Sequence, residues 1–267
     1  CIILRSDGAS LYATRDLAAA IYRKNTYDFA KSLYVVAYQQ NLHFKQFFKV
    51  LELMGKEWAK DCVHVAFGMV SMEDGAMSTR HGKVGFLEDV LNRAVEKCLA
   101  IITEKNPELP GKEKIAEQVG TGAVVFGALS SGRIKDTVFS YDKVLNFDGE
   151  TGPYVQYTAA RCFSVLAKGG EIGNYEIKDM NKCEYDLASH ISKLNETLSS
   201  SLEKYEPSFI TRYAVDLAQL YNKFYFDCKI LGEEENVKNF RLALTKATHI
   251  TLSVCLKLLG IGVPERM

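Results

Sequence analysis

The sequence predicts an α/β part followed by an all-α part. Three observations carry this. In the first third, short apolar runs rich in β-formers alternate with stretches of helical spacing. After Gly85 the pattern turns helical, and no strand signal of any strength follows residue 150. Between the two lies "GAMSTRHGKV", residues 75–84, a basic loop of small and hydroxyl residues. The β-α-β-α-β order of the first part implies a parallel sheet of the doubly wound kind.

The elements follow in order. "CIILR" reads as a strand, with turn chemistry at Asp7-Gly8. "LYATRDLAAAIYRKN" has helical composition and spacing. "SLYVVAY" has the apolar content of a buried parallel strand. "HFKQFFKVLELMG" places Phe44, Phe47, Phe48, Leu51 and Met54 on one helical face and stops at Gly55. "VHVAFGMV" is a further strand. "FLEDVLNRAVEKCLAIITEKN" is a long amphipathic helix ended by Asn106-Pro107. "IAEQVGTGAVVFGALSSG" reads as a helix whose glycines permit close packing. "GPYVQYTAARCFSVLAKGG" begins with Pro153 in a first turn and ends at Gly169-Gly170. Helical stretches 184–205, 208–230 and 234–259 complete the chain.

Composition bounds the function classes. The chain has 267 residues, 47% hydrophobic and 25% charged, as soluble globular proteins do. Lys+Arg and Asp+Glu both number 33, so overall charge argues for no polyanionic partner; only local patches can. Seven cysteines without a Cys-x-x-Cys pair argue against a disulfide framework and a zinc ribbon. No apolar run approaches the roughly 20 residues needed to span a bilayer.

Several groups are chemical candidates. The loop fails as a P-loop, because six residues separate Gly75 from Gly82 and Val84 follows Lys83. Ser78, Thr79 and Arg80 nevertheless suit a phosphate, and a solvated connection is the competing reading. Tyr12 and Asp16 share one helical face and can hold a cation; from spacing alone a surface Asp is the stronger reading. Gln39 and Gln40 stand at the carboxyl end of a parallel strand, where doubly wound folds bind ligands, with His43 just beyond. Tyr154, Tyr157 and Arg161 form one stripe, either a stacking platform for unpaired bases or a core stripe.

Taken together, "LYATRD", "LYVVAYQQNLHFKQFF", "HVAFGMV", "MSTRHGKV", "NFDGETGPYVQYTAAR", "ITRYAVDLAQLYNKFY" and "GIGVPERM" resemble the carboxyl-terminal part of an arginyl-tRNA synthetase. The resemblance runs along essentially the whole chain and rests on the order and spacing of these motifs. It implies the carboxyl-terminal half of a class I Rossmann-like catalytic domain over residues 1–84 and a helical-bundle anticodon-binding domain over 85–267.

The resemblance also implies roles. Tyr12 and Asp16 bind the substrate arginine and Gln40 orients it. His43 borders the adenosine, and backbone groups of Met69 and Val70 meet the adenine. Met77, Ser78, Thr79 and Arg80 stand for the family's Lys-Met-Ser-Lys-Ser loop, which closes on ATP, with Ser78, Thr79 and Arg80 as catalytic groups. Ala76 replaces the first lysine of that motif and His81 the lysine often found after the arginine, so Arg80 and Lys83 carry more of the charge. Tyr154, Tyr157, Arg161 and Met267 face the anticodon loop.

The implied activity is arginine–tRNA ligase. Arginine and ATP form an adenylate, and arginine passes to the tRNA 3′ end, without a covalent enzyme intermediate. ATP arrives with Mg2+ as substrate, and no tightly bound cofactor or metal site is expected. Expected partners are the tRNA for arginine, arginine and ATP, in a cytoplasmic monomer that makes no membrane contact. No His-x-Gly-His signature occurs, so the chain reads as part of a longer enzyme and as inactive by itself. The alternative is a catalytically inactive, synthetase-derived helical module that binds RNA or protein.

Overall fold

The computed structural model describes residues 1–72, 86–177 and 179–267. The expected phosphate loop, with Met77, Ser78, Thr79 and Arg80, lies outside the described residues. The described chain forms two compact units: residues 1–69 with 133–137, and residues 70–132 with 138–267.

The first unit holds α1 (Tyr12–Tyr27), β1 (Ser32–Ala37), α2 (Asn41–Leu53) and β2 (Cys62–Phe67). One-turn 3-10 segments, Tyr38–Gln40 and Glu57–Asp61, lead into α2 and β2. β1 and β2 pair in parallel, from Ser32 opposite Cys62 to Ala37 opposite Phe67. The aromatic spacing of α2 explains its seat. Phe44, Phe47 and Leu51 are buried with Leu17 and Ala20 of α1, and Tyr34 and Val36 of β1 pack on them. Burying that apolar stripe is what fixes two short helices to two short strands.

Two expectations change here. "SLYVVAY" was expected to be buried on both faces, yet Leu33 and Val35 are exposed, because α2 covers only the face of Tyr34 and Val36. "CIILR" makes a single bridge, Leu4 with Ser10, rather than a sheet strand. Gly8, at φ +79°, turns the chain back so early that Arg5 bonds Ala9 and no longer strand develops.

The second unit is helical. Its elements are β3 (Val70–Met72), α3 (Leu87–Lys105), α4 (Lys112–Leu129), β4 (Thr137–Phe139), α5 (Tyr141–Val144), α6 (Gly152–Gly169), α7 (Lys182–Ser192), α8 (Leu194–Lys204), α9 (Ser208–Asp227) and α10 (Glu235–Leu258). β3 and β4 pair with each other. The predicted stretch 184–205 divides at Lys193, where Ser192 bonds back to the Ser189 carbonyl and competes with the helical ladder. The glycines of "GTGAVVFG" serve close packing, as expected. A Cβ on Gly120 would stand 2.7 Å from the Val95 Cα of α3, and one on Gly122 would stand 3.0 Å from the Gln156 amide of α6. α6, α7, α9 and α10 enclose the larger core around Leu187, Leu217, Tyr221 and Leu252. A smaller core, around Cys98, Ile102 and Val119, joins α3 to α4.

Candidate functional site

In the first unit, α1 and α2 begin side by side, and their first turns carry the polar residues that the sequence singled out. Tyr12 opens α1, and Asp16 follows one turn later on the same face. His43 lies in the first turn of α2, and its ring is centred 4.8 Å from the Tyr12 ring. Its Nε2 stands 2.7 Å from Asp16 Oδ2. Toward an ionised carboxylate, which only accepts, Nε2 is the donor. Phe47 stacks below the imidazole at 6.0 Å, which fixes its plane. The side chains of His43 and Asp16 remain 17% and 30% exposed, so the pair is shielded but reachable. Gln40 stands at the amino end of α2, three residues before His43, without a side-chain capping bond. Tyr12, Asp16 and His43 of the sequence reading therefore meet in one cluster, with His43 seated on Asp16.

The carboxyl end of the strands is braced by a segment remote in sequence. Asp136 accepts from the Met69 amide at 2.6 Å and from the Tyr38 phenol at 3.3 Å. The Thr137 amide donates to the Met69 carbonyl at 2.8 Å, and the Gly68 amide to the Arg133 carbonyl at 2.8 Å. The Arg133 guanidinium donates to the Ala66 carbonyl. A Cβ on Gly68 would stand 2.2 Å from the Lys135 carbonyl oxygen, so only glycine admits this approach. The Asp136 carboxylate raises the Tyr38 phenol above its ordinary pKa, by its charge first and its hydrogen bond second. The Met69 amide and carbonyl are thus held by Asp136 and Thr137, and the carbonyl keeps a second lone pair.

In the second unit, the stripe on α6 is joined by α9. The Arg161 guanidinium lies 4.9 Å from the centre of the Tyr157 ring and 5.2 Å from that of Tyr225. Arg161 also donates to Asn222 Oδ1. Asn222 Nδ2 in turn donates to the Tyr154 hydroxyl at 2.9 Å and to Thr158 Oγ1 at 3.0 Å. Tyr157 and Tyr225 stay 40% and 44% exposed, so two rings flank a cation at the surface while Tyr154 packs on the core. The Met267 side chain packs on the α3–α4 core.

Sequence reasoning missed Asn222 and Tyr225, although their spacing of three puts them on one helical face and both lie in "ITRYAVDLAQLYNKFY". It also missed Asp136, and no local signal points there, since its partners are 98 and 67 residues away.

Comparison with known proteins follows this geometry. Residues 1–141, more than half of the chain, match the family model described as tRNA synthetases class I (R), catalytic domain. The chain belongs to the arginyl-tRNA synthetase family. Residues 155–267 match the DALR anticodon binding domain. The arginine–tRNA ligases of Halothermothrix orenii and Clostridioides difficile are 52% and 53% identical to it, over all of this chain and 48% of each relative. The chain thus spans about half the length of these curated relatives. The arginyl-tRNA synthetase structure of Thermus thermophilus superposes with a TM-score of 0.93 at 29% identity, over all of this chain and 51% of that one. The fold class is that of the family, a class I catalytic part followed by a helical anticodon-binding part. Among the described residues, no helix is long and apolar enough to cross a membrane.

Proposed function

We propose that the chain supplies the arginine-binding and anticodon-binding surfaces of an arginine–tRNA ligase. The observation that carries this is the Asp16 carboxylate, oriented by His43 beside the Tyr12 ring. A guanidinium is a planar fork of donors that pairs with a carboxylate and lies against an aromatic edge. An ammonium lacks the fork. Gln40, at the head of α2, completes the orientation of the amino acid. ATP with Mg2+ enters as substrate, against Val70 and the loop of Met77, Ser78, Thr79 and Arg80, with Arg80 taking up charge as pyrophosphate leaves. The chemistry is positioning plus charge stabilisation. The catalytic contribution then comprises residues 1–84 and the brace Arg133–Thr137, and the helical contribution the rest. On the helical side, Tyr157, Arg161 and Tyr225 receive unpaired anticodon bases.

Titration calorimetry of the chain with arginine and with lysine tests this. Arginine is expected to bind more tightly. Asp16→Asn removes a charge-assisted pair of about 1.5–3 kcal/mol and weakens arginine by at least tenfold, while lysine changes less. Equal affinities for the two amino acids would count against the reading.

A further inference from the structure

Three side chains of α6 converge on one residue of α9. Tyr154, Thr158 and Arg161 follow one another at a helical turn's spacing, and each meets Asn222. The direction of the Asn222 amide is decided by Thr158, which is fully buried. The Thr158 hydroxyl donates its only proton to the Tyr154 carbonyl at 2.9 Å. Toward Asn222 it can then only accept, so the amide nitrogen, Nδ2, is what faces it, at 3.0 Å. Nδ2 also donates to the Tyr154 hydroxyl at 2.9 Å. Oδ1 is left toward Arg161, whose guanidinium donates to it. A reversed amide would set its N–H groups against a guanidinium, which has no acceptor.

This arrangement acts on Arg161. A free arginine side chain samples many rotamers, and binding a ligand through it costs that freedom. Here the guanidinium is already held, 4.9 Å from the centre of the Tyr157 ring and 5.2 Å from that of Tyr225. Tyr225 lies three residues beyond Asn222 on α9, so one helix face supplies both the clamp and the second ring. The clamp is also neutral. A carboxylate in its place would accept from Arg161 too, but it would cancel the charge and offer no N–H to Thr158 or Tyr154.

We propose that Asn222 is a positioning residue for RNA binding: it aims the Arg161 guanidinium between the rings of Tyr157 and Tyr225 and leaves its charge uncancelled for the RNA. This rests on the anticodon reading above, in which Tyr157, Arg161 and Tyr225 receive unpaired bases. Asn222 acts through Arg161 and needs no RNA contact of its own.

The test measures, by fluorescence anisotropy, binding of an anticodon stem-loop RNA of the arginine tRNA to the full chain. It compares Asn222→Ala, Asn222→Asp, Arg161→Ala and the double variant Asn222→Ala/Arg161→Ala. Asn222→Ala is expected to lower affinity severalfold, and the double variant to lose no more than Arg161→Ala alone. Asn222→Asp is expected to lower affinity further than Asn222→Ala, because a carboxylate neutralises Arg161 and repels the phosphates. A residue that only filled the contact between α6 and α9 would give the reverse order, since aspartate keeps the shape and the acceptor. That reverse order, or unchanged affinity in Asn222→Ala, would overturn the proposal. So would losses that multiply in the double variant, since Asn222 and Arg161 would then act separately. Loss of cooperative unfolding in both single Asn222 variants would assign the residue to the core alone and overturn it too. Arg161→Ala and Tyr157→Ala are the controls for the underlying reading. If both leave affinity unchanged, the anticodon surface itself is wrong; if they weaken binding and Asn222→Ala does not, only the positioning role fails.

Discussion

A carboxylate held by an imidazole and thiols buried in a core show how neighbours decide what an acidic side chain does. Asp16 lies at the edge of a cluster, where His43 fixes its direction. The thiols of Cys98, Cys162 and Cys255 are pushed up to about 12 by burial, which disfavours the thiolate. Iodoacetamide at pH 8 is therefore expected to label exposed Cys1 and to spare these three until the chain unfolds. Mass spectrometry of the labelled peptides checks this, and rapid labelling of Cys162 in the folded chain would refute it. The sign of the linkage also follows. The folded pKa values exceed the ordinary 9.0, so the contribution to stability is complete below pH 9 and is lost as pH rises toward about 12. The sequence offered the cysteines and Asp16 as residues, but burial and pairing belong to three-dimensional neighbours.

Some helix ends and glycines were legible element by element, while the start of α7 was read at 184 and lies at Lys182. "NKCE" carries the capping-box spacing, and the Asn181 side chain accepts from the Glu184 amide at 3.0 Å while the Asn181 amide donates to Glu184 Oε2 at 2.8 Å. What no local pattern announces is the second duty of Glu184. Its Oε1 pairs with Arg241 of α10 at 2.7 Å, with side chains 5% and 14% exposed. One glutamate therefore caps α7 and docks it on α10. Arg241→Met strands a buried charge and is expected to cost about 3–5 kcal/mol, read as a lower urea midpoint. A loss below about 1 kcal/mol would show that Glu184 finds water or another partner. The brace on β2 teaches the same lesson. In sequence Gly68 falls inside the strand "VHVAFGMV", yet its necessity comes from the Lys135 backbone, far along the chain.

At the scale of the whole molecule, the division of labour gives the RNA prediction. Tyr157→Ala removes one ring of the pair around Arg161 and is expected to weaken anticodon stem-loop binding by about 1–3 kcal/mol. On the proposed function arginine binds the first unit, so its affinity is expected to stay unchanged. Fluorescence anisotropy and calorimetry separate the two, and a shared loss would refute independent surfaces. By itself the sequence determined the class of each part and most helices. Those features follow from apolar period, capping and turn chemistry, which act over a few residues. The tertiary structure alone decided that His43 sits on Asp16, that Asp136 ties down Met69, that Tyr225 joins the stripe and that Asn222 holds Arg161. Each is a contact between segments distant in sequence, and only the packing of a common core sets which side chains face one another.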